Sequence, residues 1–284
     1  MRIDSHMHFW RYSASEYSWI HDSMAALRRD FLPTDARREM DKGGIHACIA
    51  VQARQSLEET RWLLELADDH PFIAGVVGWI DLQADDVAAQ IERFAGHPKL
   101  VGLRHIVQDE PDDKFMLRSA FRRGISHLED LNLTYDLLIY PRHLPVAAEL
   151  VSRFRGQRFV LDHLAKPDIR SGGSEAFDQW ETGVRRLAEF PNVVCKLSGL
   201  VTEADWTQWT PDQLRPYLDV AFDAFGAYRL LMGSDWPVCT VVADYLRTIA
   251  VVDDYLVTRS EDERDAVMGG NADRVWNLKA GELV

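Results

Sequence analysis

Short strand-like runs alternate with longer amphipathic stretches along the whole chain. Eight of the short runs have the length and the residue content that are typical of buried strands. These predicted strands cover residues 2–8, 46–52, 73–80, 100–106, 134–140, 159–163, 193–197 and 229–235. The longer stretches repeat apolar residues at helical spacing, which predicts helices over residues 56–69, 85–94, 114–131, 144–154, 177–189, 211–224 and 260–268.

This alternation predicts parallel strands, because a crossover helix returns the chain to the same end of the sheet. Eight strand–helix repeats within 284 residues match the size of a closed (β/α)8 TIM barrel, an α/β fold. No linker rich in Pro, Gly or Ser interrupts the pattern. We therefore predict a single domain over residues 1–284.

The carboxyl ends of the strands are where such a barrel places its active site. The predicted strands end in His6 with His8, Gln52, Trp79 with Asp81, Arg104 with His105, Tyr140, His163, Lys196 with Ser198, and Asp235. Polar residues also mark where any strand stops, and this explanation is sufficient for Gln52 and Ser198. It accounts poorly for a histidine pair, a further histidine and an aspartate at matched strand ends.

His6 and His8 are separated by one residue, so an extended strand directs both imidazoles to the same side. Together with His163 and Asp235 they form a set that can ligate a metal ion or transfer protons. We take these four residues as the candidate catalytic residues.

The composition indicates a folded protein and excludes some partners. Apolar residues make up 46% of the chain and charged residues 27%, while the net charge of −13 disfavours nucleic acid and anionic membranes as partners. The three cysteines, Cys48, Cys195 and Cys239, have neither metal-ligand nor redox spacing. No signal peptide is evident, and the longest apolar run, residues 72–80, is too short to span a bilayer. We expect a cytoplasmic protein that acts on a small molecule, and the sequence does not determine its oligomeric state.

Three motifs carry a family resemblance: Asp4-Ser5-His6-Met7-His8, Leu161-Asp162-His163, and Gly233-Ser234-Asp235-Trp236-Pro237. Together they resemble the amidohydrolase superfamily, and more narrowly its sugar-lactonase branch of fuconolactonase-like and rhamnonolactonase-like enzymes. Further matching stretches include Gly78-Trp79-Ile80-Asp81-Leu82, Gly102-Leu103-Arg104-His105, Lys196-Leu197-Ser198-Gly199 and Gly270-Asn271-Ala272. The resemblance implies hydrolysis of a sugar-acid lactone, such as L-fuconolactone, to the open aldonic acid in sugar catabolism.

The resemblance also implies that His6, His8 and Asp235 bind a metal or handle protons. Metal-dependent members of the superfamily usually have Lys or Glu at the fourth strand and His at the fifth and sixth. Here the fourth strand ends in Arg104-His105 and the fifth in Tyr140, so the bridging ligand of a two-metal site is missing. One divalent ion, with zinc the first choice, fits three ligands and an open position. Arg104 opposes a cation there, and the family includes metal-independent members, so the sequence leaves open whether the metal is dispensable.

We assign roles on this basis. Asp235 is the expected general base, His163 orients water or passes a proton to the departing hydroxyl, and His6, His8 and Arg104 polarise the carbonyl. Two groups are expected to bind the sugar: the indoles of Trp10, Trp79 and Trp236 by packing on it, and Arg54, Arg104, His105, Tyr140, Lys166 and Lys196 by hydrogen bonds to its hydroxyls. Tyr12, Trp19 and His21 lie in a long first loop that can act as a lid.

Three alternatives remain at this point. A lactonase for a carboxylated product of aromatic degradation would need clustered arginines at the strand ends. A metal-dependent decarboxylase of the same superfamily would need a strict metal site. A non-catalytic sugar-binding barrel would have no need of the four candidate catalytic residues.

Overall fold

The computed structural model describes residues 1–278 and contains one sheet of eight parallel strands, whose order in the sheet is their order along the chain. The strands are β1 Ile3–Met7, β2 Ala47–Val51, β3 Ile73–Gly78, β4 Leu100–His105, β5 Thr134–Leu137, β6 Phe159–Leu161, β7 Val193–Leu197 and β8 Leu230–Met232. The (β/α)8 barrel is therefore confirmed, and every predicted strand contains one of these elements.

Helices follow the strands and pack around the barrel. They are α1 Pro33–Gly43, α2 Leu57–Asp69, α3 Val87–Ala95, α4 Ser119–Ile125, α5 Leu144–Arg153, α6 Ser174–Ala188, α7 Leu200–Glu203, α8 Pro211–Phe225, α9 Tyr245–Leu256, α10 Glu261–Asp265 and α11 Asn271–Trp276. Short 3₁₀ helices at Val107–Asp109 and Asp162–Ala165 follow β4 and β6 directly. Within the described part of the chain, no helix is both long and apolar enough to cross a lipid bilayer.

Four of these helices, α1, α7, α9 and α11, are absent from the sequence-based prediction, and α7 and α11 are only four and six residues long. Helix α1 buries only Pro33, Ala36 and Met40, so its apolar spacing is sparse. Helix α9 is amphipathic, but its buried residues are largely β-branched and aromatic, which is a composition common in strands. The helix predicted over residues 114–131 is shorter in the structure, where a 3₁₀ helix at Phe115–Leu117 precedes α4.

The barrel interior is apolar near the amino ends of the strands and charged near their carboxyl ends. Ile49, Val77 and Leu231 belong to a small apolar cluster with Trp276 of α11. The ammonium of Lys196 lies 5.6 Å from the centre of the Trp276 ring, where the apolar part of the interior ends. Polar side chains therefore collect at the end of the barrel that is expected to hold the active site.

The seam between the first and last strands brings the candidate residues together. The backbone N–H of Asp235 donates to the carbonyl of His6 at 2.9 Å, and that of His8 donates to the carbonyl of Trp236 at 2.7 Å. These main-chain contacts fix the register between β1 and the segment that follows β8. His6, His8 and Asp235 are thus neighbours because of the topology, although 227 residues or more separate Asp235 from the pair in sequence.

Candidate active site

Three ligand atoms converge at the seam. His6 Nε2 lies 3.2 Å from His8 Nε2, and Asp235 Oδ1 lies 3.2 Å from His8 Nε2 and 3.8 Å from His6 Nε2. The other ring nitrogen of His8, Nδ1, lies 2.8 Å from the carbonyl oxygen of Val51. This geometry makes Nδ1–H the donor, which leaves the Nε2 lone pair of His8 directed at the cluster.

The cluster fits a divalent cation. Two ligands of a tetrahedral zinc ion with bonds of about 2.0–2.1 Å are separated by roughly 3.3 Å. The separations among His6, His8 and Asp235 are close to this value, and their donor atoms are two imidazole nitrogens and a carboxylate oxygen. A second set, formed by His6, Asp162 and His163, also keeps its ligand atoms within 4.8 Å of one another.

Cations of the protein lie beside the same cluster. Arg104 Nη1 is 3.2 Å from His6 Nε2, and Lys196 Nζ is 3.2 Å from His6 Nδ1. Burial lowers the pKa of His6 well below its usual value, and the charge of Lys196 lowers it further. His6 is therefore neutral near pH 7 and can offer a lone pair to a cation or to an N–H donor.

A fully buried ion-pair network supports the cluster from the barrel interior. Lys196 Nζ lies 2.5 Å from Asp136 Oδ2 and 2.9 Å from Asp162 Oδ1, and Arg104 Nη1 lies 3.0 Å from Asp162 Oδ2. Burial alone would raise the pKa of Asp162, but the charge of Lys196, the hydrogen bond from His6 and the charge of Arg104 hold that pKa well below its usual value. The network fixes the orientation of Arg104 and of the His6 ring.

His163 and Asp235 both adopt left-handed backbone conformations, with φ of 52° and 58°. Residues 163–166 all have positive φ, and this turn is closed by a hydrogen bond of 2.7 Å from the Lys166 N–H to the His163 carbonyl. Such conformations cost L-residues energy and concentrate at functional sites. The turn presents the His163 ring so that Nδ1 meets Ser198 Oγ at 2.8 Å and Nε2 lies 3.9 Å from Asp235 Oδ1.

His163 and Asp235 differ in charge at neutral pH. Burial lowers the pKa of His163 to about 4. Burial would raise the pKa of Asp235, but His163 and His8 lower it below its usual value. At neutral pH the site therefore holds a neutral imidazole next to a carboxylate, and both are proton acceptors.

These groups open into a small cavity of about 110 Å³. Its lining consists of His8, Trp19, Ala53, Arg104, Ile106, Gln108, Asp109, Leu138, His163, Lys166, Asp235 and Val238. A larger groove of about 750 Å³ lies between α5 and α6 on the outside of the barrel and contains none of these residues. We place the candidate active site in the smaller cavity, because that is where the titratable groups converge.

The structure brings together only part of the predicted site. The predicted residues that line the cavity are His8, Arg104, His163, Lys166 and Asp235, together with Trp19 of the expected lid loop, and His6 contacts His8. Those that do not line it are Trp10, Arg54, Trp79, His105, Tyr140, Lys196 and Trp236. The sugar-binding role assigned to this second group stays a prediction.

Contacts of the second group explain their positions. The Trp10 indole is fully buried and donates to the Arg29 carbonyl at 2.9 Å. Arg54 forms an ion pair with Glu16 in the loop that follows β1. Lys196 is occupied by its buried carboxylate partners.

The remaining aromatic residues of this group contact one another or nearby side chains. Trp79 Nε1 donates to His105 Nδ1 at 3.2 Å, and His105 Nε2 lies 2.7 Å from Glu110. The Tyr140 ring lies under the guanidinium of Arg142, at 4.9 Å. Trp236 is buried against Phe31, with ring centres 5.4 Å apart.

Sequence reasoning did not select Asp136, Asp162 or Gln108 as site residues. Asp162 precedes His163 in a quoted motif, so its proximity to the site could have been inferred. Asp136 lies inside a strand, and its pairing with Lys196 depends on two strands that are not neighbours in the sheet. Gln108 follows the predicted fourth strand by two residues and carries no motif.

The chain is similar to known proteins over nearly its whole length. A family profile described as amidohydrolase matches residues 3–278. The chain is 43% identical over 286 positions to an L-fucono-1,5-lactonase of Burkholderia multivorans, covering 98% of this chain and 96% of that protein. It is 40% identical, with the same coverage, to an L-fucono-1,5-lactonase of Burkholderia ambifaria. A crystal structure of an amidohydrolase from Burkholderia multivorans with bound zinc has a TM-score of 0.94 and 43% identity, covering 98% of this chain and 99% of that chain.

Proposed function

The chain belongs to the amidohydrolase family, and we propose that it hydrolyses the lactone of a sugar acid, with L-fucono-1,5-lactone as the foremost candidate substrate. The observation that carries the proposal is the convergence of His6, His8, His163 and Asp235 on one small cavity. Relatives that are 40–43% identical over nearly the whole chain bear the name of this activity.

Asp235 acts as the general base. Among the described residues that line the cavity it is the buried carboxylate, and it is ionised at neutral pH. It accepts a proton from the attacking water while the water oxygen bonds to the lactone carbonyl carbon. His163 Nε2, 3.9 Å from Asp235, relays that proton to the ring oxygen as the carbon–oxygen bond breaks. The products on one open chain are a free hydroxyl and a carboxylic acid, which releases its proton to solvent and becomes a carboxylate.

Arg104 stabilises the negative charge that develops on the carbonyl oxygen. Its guanidinium reaches the cavity and is held by Asp162 and by Gln52 Oε1, each at 3.0 Å. Because these partners fix its position before substrate arrives, little reorganisation is needed during the reaction. Lys166, on the same cavity wall, adds a second positive charge.

His6, His8 and Asp235 are the residues that would hold a divalent ion, for which zinc is the first choice because two imidazoles and a carboxylate suit it. Such an ion supplies Lewis-acid polarisation of the carbonyl and lowers the pKa of a bound water. Arg104 and Lys196 repel a cation at this position, so we propose one weakly held ion and leave its necessity to experiment.

A neutral sugar lactone fits the cavity better than a dicarboxylate does. Among the described residues that line the cavity, Arg104 is the one arginine, and the carboxylate of Asp162 balances its charge. Arg54, the other arginine expected near the strand ends, pairs with Glu16 instead. The clustered arginines that a carboxylated aromatic-degradation lactone or an aromatic decarboxylase substrate would need are therefore not found in the described lining.

The test measures acid release with a pH indicator across fucono-, galactono-, rhamnono- and arabinonolactones. It compares chelator-stripped enzyme, enzyme with added zinc or manganese, and the Asp235→Asn variant. Turnover that survives stripping and falls at least about 100-fold in Asp235→Asn would support a lactonase with a dispensable metal. Turnover that is restored only by an added ion would support a lactonase with an obligatory metal. Absence of acid release from every lactone would refute the proposed function.

A further inference from the structure

Three residues that line the cavity carry a buried polar atom without a partner among the described residues: Arg104 at Nε, whose other guanidinium nitrogens are bonded, and Trp19 and Gln108. Trp19 Nε1 and Gln108 Oε1 are both buried and form no hydrogen bond with any described residue. Each costs about 1–3 kcal/mol when left unpaired, so folded proteins rarely keep such atoms without a reason. Both residues line the cavity that holds His163 and Asp235.

Trp19 and Gln108 reach the cavity from two different loops, and neighbouring residues fix the position of each. Trp19 lies in the loop between β1 and α1, where the buried Trp10 ring meets it edge to face at 5.7 Å. Gln108 lies in the 3₁₀ helix after β4, and its backbone N–H donates to the Leu138 carbonyl at 3.1 Å. Packing and backbone contacts thus position both residues independently of any ligand.

Their chemistry is complementary to a hydroxylated ring. Trp19 offers one N–H donor and Gln108 one carbonyl acceptor, while a hydroxyl both accepts and donates. The lining also includes the side chains of Ala53, Ile106 and Val238, which provide apolar surface for the C–H groups of such a ring.

We propose that Trp19 and Gln108 are the residues that select the substrate by its hydroxyls, an inference that rests on the proposed lactonase function. Trp19 Nε1–H donates to one ring hydroxyl, and Gln108 Oε1 accepts from another. A lactone without either hydroxyl leaves the corresponding buried atom unpaired, and a site of this kind rejects such an analogue.

The test uses Trp19→Phe, which removes the indole N–H, and Gln108→Leu, which removes the carboxamide; both keep most of the side-chain volume. Trp209→Phe is the matched control, because Trp209 Nε1 is also buried and unpartnered but lies outside the cavity lining. Each enzyme is assayed for kcat/KM on a parent aldonolactone and on its monodeoxy derivatives, each of which lacks one ring hydroxyl.

We expect Trp19→Phe and Gln108→Leu each to lose about 10-fold in kcat/KM on the parent lactone. On the one deoxy lactone that lacks its partner hydroxyl, we expect each variant to have the same kcat/KM as the wild type. We expect Trp209→Phe to match the wild type on every lactone. An equal loss on every lactone, or no loss at all, would overturn the assignment.

If the wild type hydrolyses no lactone, the proposed function fails, and calorimetric titration with L-fuconate then decides the inference separately. Weaker binding by both variants, but not by Trp209→Phe, would support the two residues as hydroxyl-binding groups. Equal binding by all four proteins, or no binding by any, would overturn this role as well.

Discussion

Asp4 and Ser234 are joined across the barrel seam by a hydrogen bond of 2.9 Å from the Ser234 backbone N–H to Asp4 Oδ1. The same carboxylate oxygen accepts the His6 N–H at 3.1 Å, and Oδ2 accepts the Tyr245 hydroxyl at 3.0 Å. Asp4 is fully buried and does not line the cavity. It therefore connects the segment that carries His6 to the segment that carries Asp235.

Asp4→Ala is expected to reduce both stability and turnover. The substitution leaves two backbone N–H groups and one hydroxyl unpaired, which costs about 2–4 kcal/mol in the free energy of unfolding. Tyr245→Phe is the control, because it removes only the hydroxyl contact and is expected to cost about 1 kcal/mol with kcat unchanged. Urea unfolding and acid release measure the two quantities. Full kcat in a folded Asp4→Ala protein would contradict the positioning role of Asp4.

The buried ion-pair network predicts that substitution of Lys196 lowers the free energy of unfolding more than substitution of an exposed basic residue does. Lys196→Met leaves Asp136 and Asp162 without their shared cation in the barrel interior, and we expect a loss of about 3–5 kcal/mol. Arg185→Met breaks the solvent-exposed pair with Asp223 and is expected to cost less than about 1 kcal/mol. Chemical denaturation compares the two variants directly. Equal losses would mean that the network does not stabilise the fold.

The sequence is sufficient to predict the eight strands, because each is a short strand-like run that precedes a longer amphipathic stretch. It also predicts the cluster at the seam, since barrel topology brings the ends of the first and last strands together. Lys196 shows where this reasoning stops. A residue at the end of a strand is indistinguishable in sequence from one that lies deeper in the barrel, and the structure pairs Lys196 with Asp136 and Asp162.

The tryptophans show a second limit. Trp10 lies two residues after His8, yet it is buried, and its ring packs against that of Trp19, which lies nine residues further along the loop. Loop conformation decides which indole reaches the cavity, and no periodic pattern in the sequence records it. The same holds for Gln108, which is placed by the 3₁₀ helix after β4.

Glu59 predicts a pH dependence of stability. Its carboxylate accepts the N–H groups of Ala53 and Arg54 at 3.0 and 2.9 Å, and burial raises its pKa to about 7. Because the folded-state pKa exceeds that of an unfolded chain, its contribution to stability is full below about pH 4.3 and is lost as the pH rises through 7.

Glu59→Gln retains an acceptor for these N–H groups but cannot ionise. We therefore expect its melting temperature to rise relative to that of the wild type between pH 5 and pH 8. Glu65→Gln, an exposed position on the same helix, is the control and is expected to show no such trend. Parallel melting curves for Glu59→Gln and wild type across this range would contradict the assignment.

His8 provides the sharpest test of the proposed metal position. Its Nε2 lone pair faces both His6 and Asp235, whereas His6 Nε2 also has Arg104 beside it. We expect His8→Asn to weaken zinc binding at least about 100-fold in competition with a chromogenic chelator. His97→Asn is the control, since His97 contacts Asp68 outside the cavity. If His8→Asn binds zinc as tightly as the wild type, the ion occupies another donor set, and His163→Asn should then weaken binding because His163 belongs to the set with His6 and Asp162.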